Sequence, residues 1–150
     1  MILKEICTPD VVCCTPGTTA LAAARLMRQR HVGDLVVVED PDGDQSPLGM
    51  VTDRDLVVEV LAQEKDAAQV AVRDIMRKPV VVAGSNEDSA RAAERMKQHG
   101  VRRIPVMDDG RKLAGIVSLD DLLVQLATDA NALVEVVARE QGREHRTRRC

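Results

Sequence analysis

Two short stretches decide how this chain folds: GMVTDRD at residues 49–55 and GIVSLDD at residues 115–121. Each has a glycine, two apolar residues, a Thr or Ser, two variable residues and then an Asp. The apolar pair ends a strand and the hydroxyl residue opens a helix. Thr52-x-x-Asp55 and Ser118-x-x-Asp121 are close to capping boxes, in which side chains satisfy free backbone donors of a helix start. The motif recurs at an offset of 66 residues, and working outward from it exposes a duplication. Upstream the offset is 69, and residues 5–40 fall on 74–109 with identities at Ile6/Ile75, Val11/Val80, Val12/Val81, Ala23/Ala92, Ala24/Ala93, Met27/Met96, Gln29/Gln98, Val32/Val101, Val37/Val106 and Asp40/Asp109. The drop from 69 to 66 places three extra residues in the loop DPDGDQSP at 40–47, and loops tolerate insertions. Two copies of one unit therefore fill residues 5 to about 128.

Each copy reads as β-α-β-β-α. VVCC at 11–14 and VVVA at 80–83 are short β runs, each followed by turn residues. Ala20, Ala23, Ala24 and Met27, and in the second copy Ala92, Ala93 and Met96, have helical spacing. Gly100 ends the second of these helices in the left-handed conformation, and His31 holds the matching position. Strands follow at 34–39 and 103–108, then at 48–52 and 114–118, and helices start near Asp53 and Leu119. Such a unit leaves one sheet face uncovered, and two copies can bury those faces against each other. The fold class is therefore α/β (α+β): two repeats packed sheet to sheet under a pseudo-two-fold axis, plus a C-terminal helix. The expected division is repeat 1 at 1–66, repeat 2 at 67–128, and a C-terminal helix with a basic tail at 129–150. Leu133, Val136 and Val137 form that helix's apolar stripe. The end, GREHRTRRC at 142–150, carries a net +3 and reads as a frayed, solvated helix end.

Composition narrows the function. Phe, Tyr and Trp are absent, so the core is Val, Leu, Ile, Ala and Met, and a planar ligand must be gripped by aliphatic side chains and backbone. Single-strand nucleic-acid binding on aromatic platforms is excluded. The net charge of −3 argues further against a nucleic-acid partner. No apolar run reaches the ~18 residues of a membrane span, and the first residues lack a signal-peptide pattern, so a cytoplasmic protein is expected. Cys7, Cys13, Cys14 and Cys150 form no CxxC pair and read as small hydrophobes in a reducing compartment. His31, His99 and His145 have neither a nucleophile partner nor metal-ligand spacing, so no catalytic residue, metal or catalytic cofactor is expected.

The two motifs carry the remaining chemistry. A glycine at a strand entrance lets something approach the backbone. A helix start presents free N–H groups, a hydroxyl can donate to phosphate, and an ionised Asp accepts from the two hydroxyls of a ribose. The same residues can cap and bind.

With these motifs, the duplicated unit and the run Arg102-Arg103-Ile104-Pro105-Val106, residues 3–128 resemble a pair of cystathionine-β-synthase (CBS) domains, a Bateman module. The resemblance implies two clefts between the repeats that bind AMP, ADP, ATP, NAD or S-adenosylmethionine, and adenine nucleotides of the AMP, ADP, ATP or NAD type are the ligands expected here. It implies that the motif Asp holds ribose, that the Thr or Ser lies near ribose or phosphate, and that modules pair into homodimers. Carried onto this chain, one cleft combines Thr52 and Asp55 with Val101, Arg102, Arg103 and the strand holding Val81 and Val82. The other combines Ser118 and Asp121 with Val32, Gly33, Asp34 and the strand holding Val12, Cys13 and Thr15. Gly33 and Asp34 stand where the first cleft has two arginines, which disfavours phosphate in the second. The resulting expectation is a stand-alone regulatory module, an energy or metabolite sensor acting on an unidentified regulated protein. Two other classes stay open: a homodimeric scaffold with degenerate clefts, or a cysteine-based redox or metal sensor.

Overall fold

A computed structural model describes residues 1–43, 45–109 and 111–147. Residues 148–150, with Cys150 and two arginines of the basic tail, lie outside the described residues. So do the side chains of 142 and 144–147, which include the side chain of His145.

Each repeat contributes a three-stranded sheet. The first contains β1 (Cys13–Cys14), β2 (Asp34–Val38) and β3 (Pro47–Thr52), and the second β4 (Ala83–Gly84), β5 (Arg103–Met107) and β6 (Leu113–Ser118). In both, the short first strand runs parallel to the central strand and the third runs antiparallel to it. The β runs expected at 11–14 and 80–83 shrink to two residues each, because only their ends meet the central strand's ladder.

The helices follow from local chemistry. α1 (Ala20–Arg30) begins at Thr19, whose hydroxyl accepts from the Ala22 N–H, and α3 (Ser89–His99) begins at Asp88, whose carboxylate accepts from the Ala90 N–H. They end at His31 and Gly100, with φ of 54° and 63°. α1 buries Ala20, Ala23 and Met27, while Ala24 is exposed. α2 (Asp53–Leu56) continues as one π-helical turn over Val57–Leu61. Its counterpart α4 runs unbroken from Leu119 to Thr147. The C-terminal helix is thus the extension of the second repeat's last helix, because Asp129 and Asn131 do not break a helix whose flanks are Ala, Leu and Val.

The repeats exchange their entry segments. Leu3, in a 3₁₀ turn at Leu3–Glu5, is fully buried in the second core with Ile104, Val106 and Val117. Val72 and Ile75, at the 3₁₀ turn Val72–Asp74, are buried in the first core with Leu35, Val37 and Val51. Thr8 bridges Ile116 and Arg77 bridges Met50, each crossing to the other repeat's last strand. That crossing explains the motif glycines. A Cβ on Gly49 would sit 2.8 Å from the Arg77 carbonyl oxygen, and one on Gly115 would sit 2.7 Å from Cys7 Sγ and 2.8 Å from the Thr8 oxygen. What approaches these glycines is the partner repeat's backbone, where the sequence suggested room for a ligand.

Candidate functional site

The strand ends and helix starts of the two repeats enclose two clefts. The larger, about 470 Å³, is walled by β3 and α2 of the first repeat and by residues 77–81 and 100–103 of the second. Thr52, Asp53 and Arg54 face Arg102 and Arg103 across it, and Met50, Pro79, Val81 and Val101 supply aliphatic surface. The smaller, about 250 Å³, is walled by the equivalent segments in reverse: Ser118 and Asp121 against Val12, Val32, Gly33 and Asp34, with Asp10 and His31 at its wall. Ligand sites commonly have volumes of ~300–1,000 Å³, which the larger cleft meets and the smaller does not.

Charge separates them further. Four arginines (54, 77, 102, 103) and two aspartates (34, 53) line the larger cleft, a net +2. Three aspartates (10, 34, 121) and one arginine (103) line the smaller, a net −2 with His31 neutral.

The structure brings together Thr52, Val81, Val101, Arg102 and Arg103 at one cleft, and Ser118, Asp121, Val12, Val32 and Gly33 at the other. It does not bring Asp55, Val82, Cys13 or Thr15 to either wall. Asp55 is 6% exposed. Its Oδ2 accepts from the Thr52 N–H at 2.9 Å, its own N–H donates to Thr52 Oγ1 at 3.1 Å, and its Oδ1 accepts from Arg77 Nε at 3.1 Å. The capping box expected from the sequence is complete, and a guanidinium closes its remaining face. The Val82 carbonyl accepts from Arg95. Thr15 donates its N–H to Thr18 Oγ1, folding into the turn. Asp121 is bound by the Ser118 N–H at 2.8 Å and hydroxyl at 2.6 Å, but has no arginine at the position equivalent to Arg77, which is Thr8.

Sequence reasoning missed Met50, Asp53, Arg77 and Pro79 as wall residues; Arg54 is exposed in the first turn of α2 and lines the same cleft. The signal was available for Arg54, which lies between the motif's hydroxyl and acid. Arg77 could be found only through the exchanged segment. Arg103 and Asp34, assigned to separate clefts from the sequence, line both and bond each other, Nε to Oδ1 at 3.1 Å. Burial pushes the Asp34 carboxyl above its usual value; Arg103 opposes the rise and Asp53 adds to it.

Burial raises the Cys7 and Cys13 thiols and pushes Cys14 up to about 12, which suppresses the reactive thiolate. Among the described residues, no group of three or more His, Cys, Asp or Glu side chains is placed to hold a metal ion.

The family model of the CBS domain matches residues 3–62 and 72–128, one match per repeat. The chain belongs to the CBS-domain family. CBS-domain proteins are among its relatives and structural neighbours. The CBS domain-containing protein YhcV of Bacillus subtilis is 37% identical over 131 residues, covering 87% of this chain and 89% of YhcV. An uncharacterized Methanopyrus kandleri protein is 38% identical over 119 residues, 79% of this chain, which spans 59% of that relative's length. The solved Hypoxic Response Protein I, described with two coordinated zinc ions, is 29% identical with a TM-score of 0.71, covering 82% of this chain and 97% of its own. The CBS domain pair of protein MJ0100, solved with 5′-methylthioadenosine and S-adenosyl-L-methionine, is 25% identical with a TM-score of 0.72, covering 84% of this chain and 99% of its own. Among the described residues, no helix is long and apolar enough to cross a membrane.

Proposed function

We propose that this CBS-domain pair is a cytoplasmic regulatory module that binds an adenine nucleotide of the AMP, ADP, ATP or NAD type in its larger cleft and acts by binding, without catalysing a reaction. The observation that carries this reading is the larger cleft itself: about 470 Å³, a net +2, a helix start with a hydroxyl on one side and aliphatic surface on the other. Val81 and Val101 with Pro79 grip adenine where no aromatic ring exists. Thr52 and the arginines receive phosphate through charge-assisted hydrogen bonds. Arg77 lines this cleft and also holds Asp55. A phosphate that draws Arg77 away releases the Asp55 carboxylate toward the ribose hydroxyls. The adenosine-type ligands in the MJ0100 structure support the class of ligand.

Regulation requires a ligand to bind one state better than another. A homodimer supplies a second state to bias. Val57 and Leu61 beyond α2, and Leu123, Leu126 and Leu133 on α4, expose apolar side chains that a second copy would cover. Calorimetric titration with the four nucleotides, beside melting followed by far-UV circular dichroism, tests the reading. Binding to the folded state alone adds about 2.7 kcal/mol at a hundred times Kd. No heat and no rise in melting temperature at millimolar nucleotide rejects it.

A further inference from the structure

Asp34 and Arg103 are equivalent residues, 69 apart, at the first positions of β2 and β5. They bond to each other across the pseudo-two-fold relation, with the Asp34 side chain only 10% exposed. Duplication places the same residue at both positions, and a like-charged pair there would repel. In this chain the two positions carry opposite charges. The Arg103 side chain is 42% exposed, so the pair is only half-buried, and an ion pair that keeps one partner in water adds little stability. This pair also sits where chemistry can reach it, since both residues line both clefts. The charged or titratable groups facing it are Asp53, Arg54, Arg77 and Arg102 from the larger cleft and Asp10, His31 and Asp121 from the smaller.

We infer that Asp34 is a specificity-determining residue of the larger cleft: it holds Arg103 as an internal competitor for the phosphate oxygens of an incoming ligand. The inference rests on the nucleotide reading of the same cleft. The cleft's four guanidiniums are then not equally available. Arg77 is held by Asp55, Arg103 by Asp34, and Arg102 by a long 3.6 Å contact to Asp120 at the surface, while Arg54 is exposed at the start of α2. A ligand must offer enough anionic charge to outbid a carboxylate already in place, which sets the cleft against weakly charged ligands. An anion that wins Arg103 leaves the Asp34 carboxylate uncompensated on the wall of the smaller cleft, beside Asp10 and Asp121.

The test uses inorganic pyrophosphate, AMP and adenosine as probes in calorimetric titrations of wild type, Asp34→Asn and the double variant Asp34→Asn/Arg103→Gln, each checked for folding by circular dichroism. Asp34→Asn is expected to tighten pyrophosphate and AMP by about tenfold, to leave adenosine within about twofold, and to lose that gain in the double variant. Unchanged anion affinity in folded Asp34→Asn, an equal gain for adenosine, or a gain that survives loss of Arg103 overturns the inference. The wild-type protein gives a second readout that needs no variant: the Arg103 Nε–H resonance shifts as pyrophosphate is added, and a resonance that stays in place also overturns it. If pyrophosphate responds as stated but AMP and adenosine do not bind, the nucleotide reading fails and the role of Asp34 stands. If AMP binds wild type and Asp34→Asn changes nothing, the reverse holds. If neither anion binds either protein, both fail.

Discussion

The two clefts share a frame and differ in nearly every charge. Thr52 faces Ser118 as its equivalent, Val81 matches Val12, and Val101 matches Val32. On that shared frame Arg77 replaces Thr8, Arg102 replaces Gly33, Pro79 replaces Asp10, and Arg54 stands where the second motif has Asp120. Each exchange makes the larger cleft more positive or the smaller more negative. Backbone geometry thus supplies two places to bind, while side-chain divergence decides what each can hold. Among the described residues, Asp34 and Arg103 line both clefts, and their ion pair is where the two divergent walls meet.

The largest effects should come from breaking the frame that both clefts need. Leu3→Ala empties a fully buried position in the second core and should cost about 2–5 kcal/mol in urea unfolding followed by circular dichroism. Gly49→Ala and Gly115→Ala push a Cβ against the crossing backbone and should each cost about 1–3 kcal/mol, whereas Gly84→Ala, with open space, should stay within about 0.5 kcal/mol. Equal tolerance at all three glycines contradicts the crossing as the reason for the motif.

Next comes the charge of the larger cleft. Arg102→Gln should weaken AMP by about tenfold in calorimetry, since a hydrogen bond to a charged group contributes about 1.5–3 kcal/mol. AMP affinity that survives this change removes the charge difference as the basis of selectivity.

Asp34 sharpens the comparison through pH. Burial raises its carboxyl in the folded state, so the folded protein holds that proton more tightly than the unfolded chain does. Stability relative to Asp34→Asn should therefore be highest below the ordinary value of 3.8 and fall as pH rises through the raised folded value. A difference that grows with pH in that window contradicts the burial argument.

The smallest effect belongs to the small cleft. Asp121→Asn should leave AMP affinity within about twofold, because its carboxylate turns toward a cavity of the wrong charge. A large loss of AMP binding moves the nucleotide into the other cleft.

Much of this was legible in the residues. Identities such as Met27/Met96 and Val37/Val106 fall at buried positions and announce the two cores, and hydroxyl-x-x-Asp announces both capping boxes. Two features were not legible, and a third was overlooked. The exchanged segments at 1–9 and 70–79 are too short and irregular to show a period, so Leu3 and Val72 carry no sign of which core they enter. The continuity of α4 was there to be read, since no glycine or proline interrupts residues 119–141, and the division at 128 passed over it. The Asp34–Arg103 bond depends on two strand ends meeting across the pseudo-axis, and no local pattern within one repeat encodes a contact with the other.

One measurement separates the clefts directly. Val81 and Val101 line the larger, and their equivalents Val12 and Val32 line the smaller. With methyl-labelled valine, AMP added to the protein should shift the Val81 and Val101 resonances at concentrations that leave Val12 and Val32 in place. Shifts confined to Val12 and Val32, or no shift at any of the four, would contradict a nucleotide in the larger cleft.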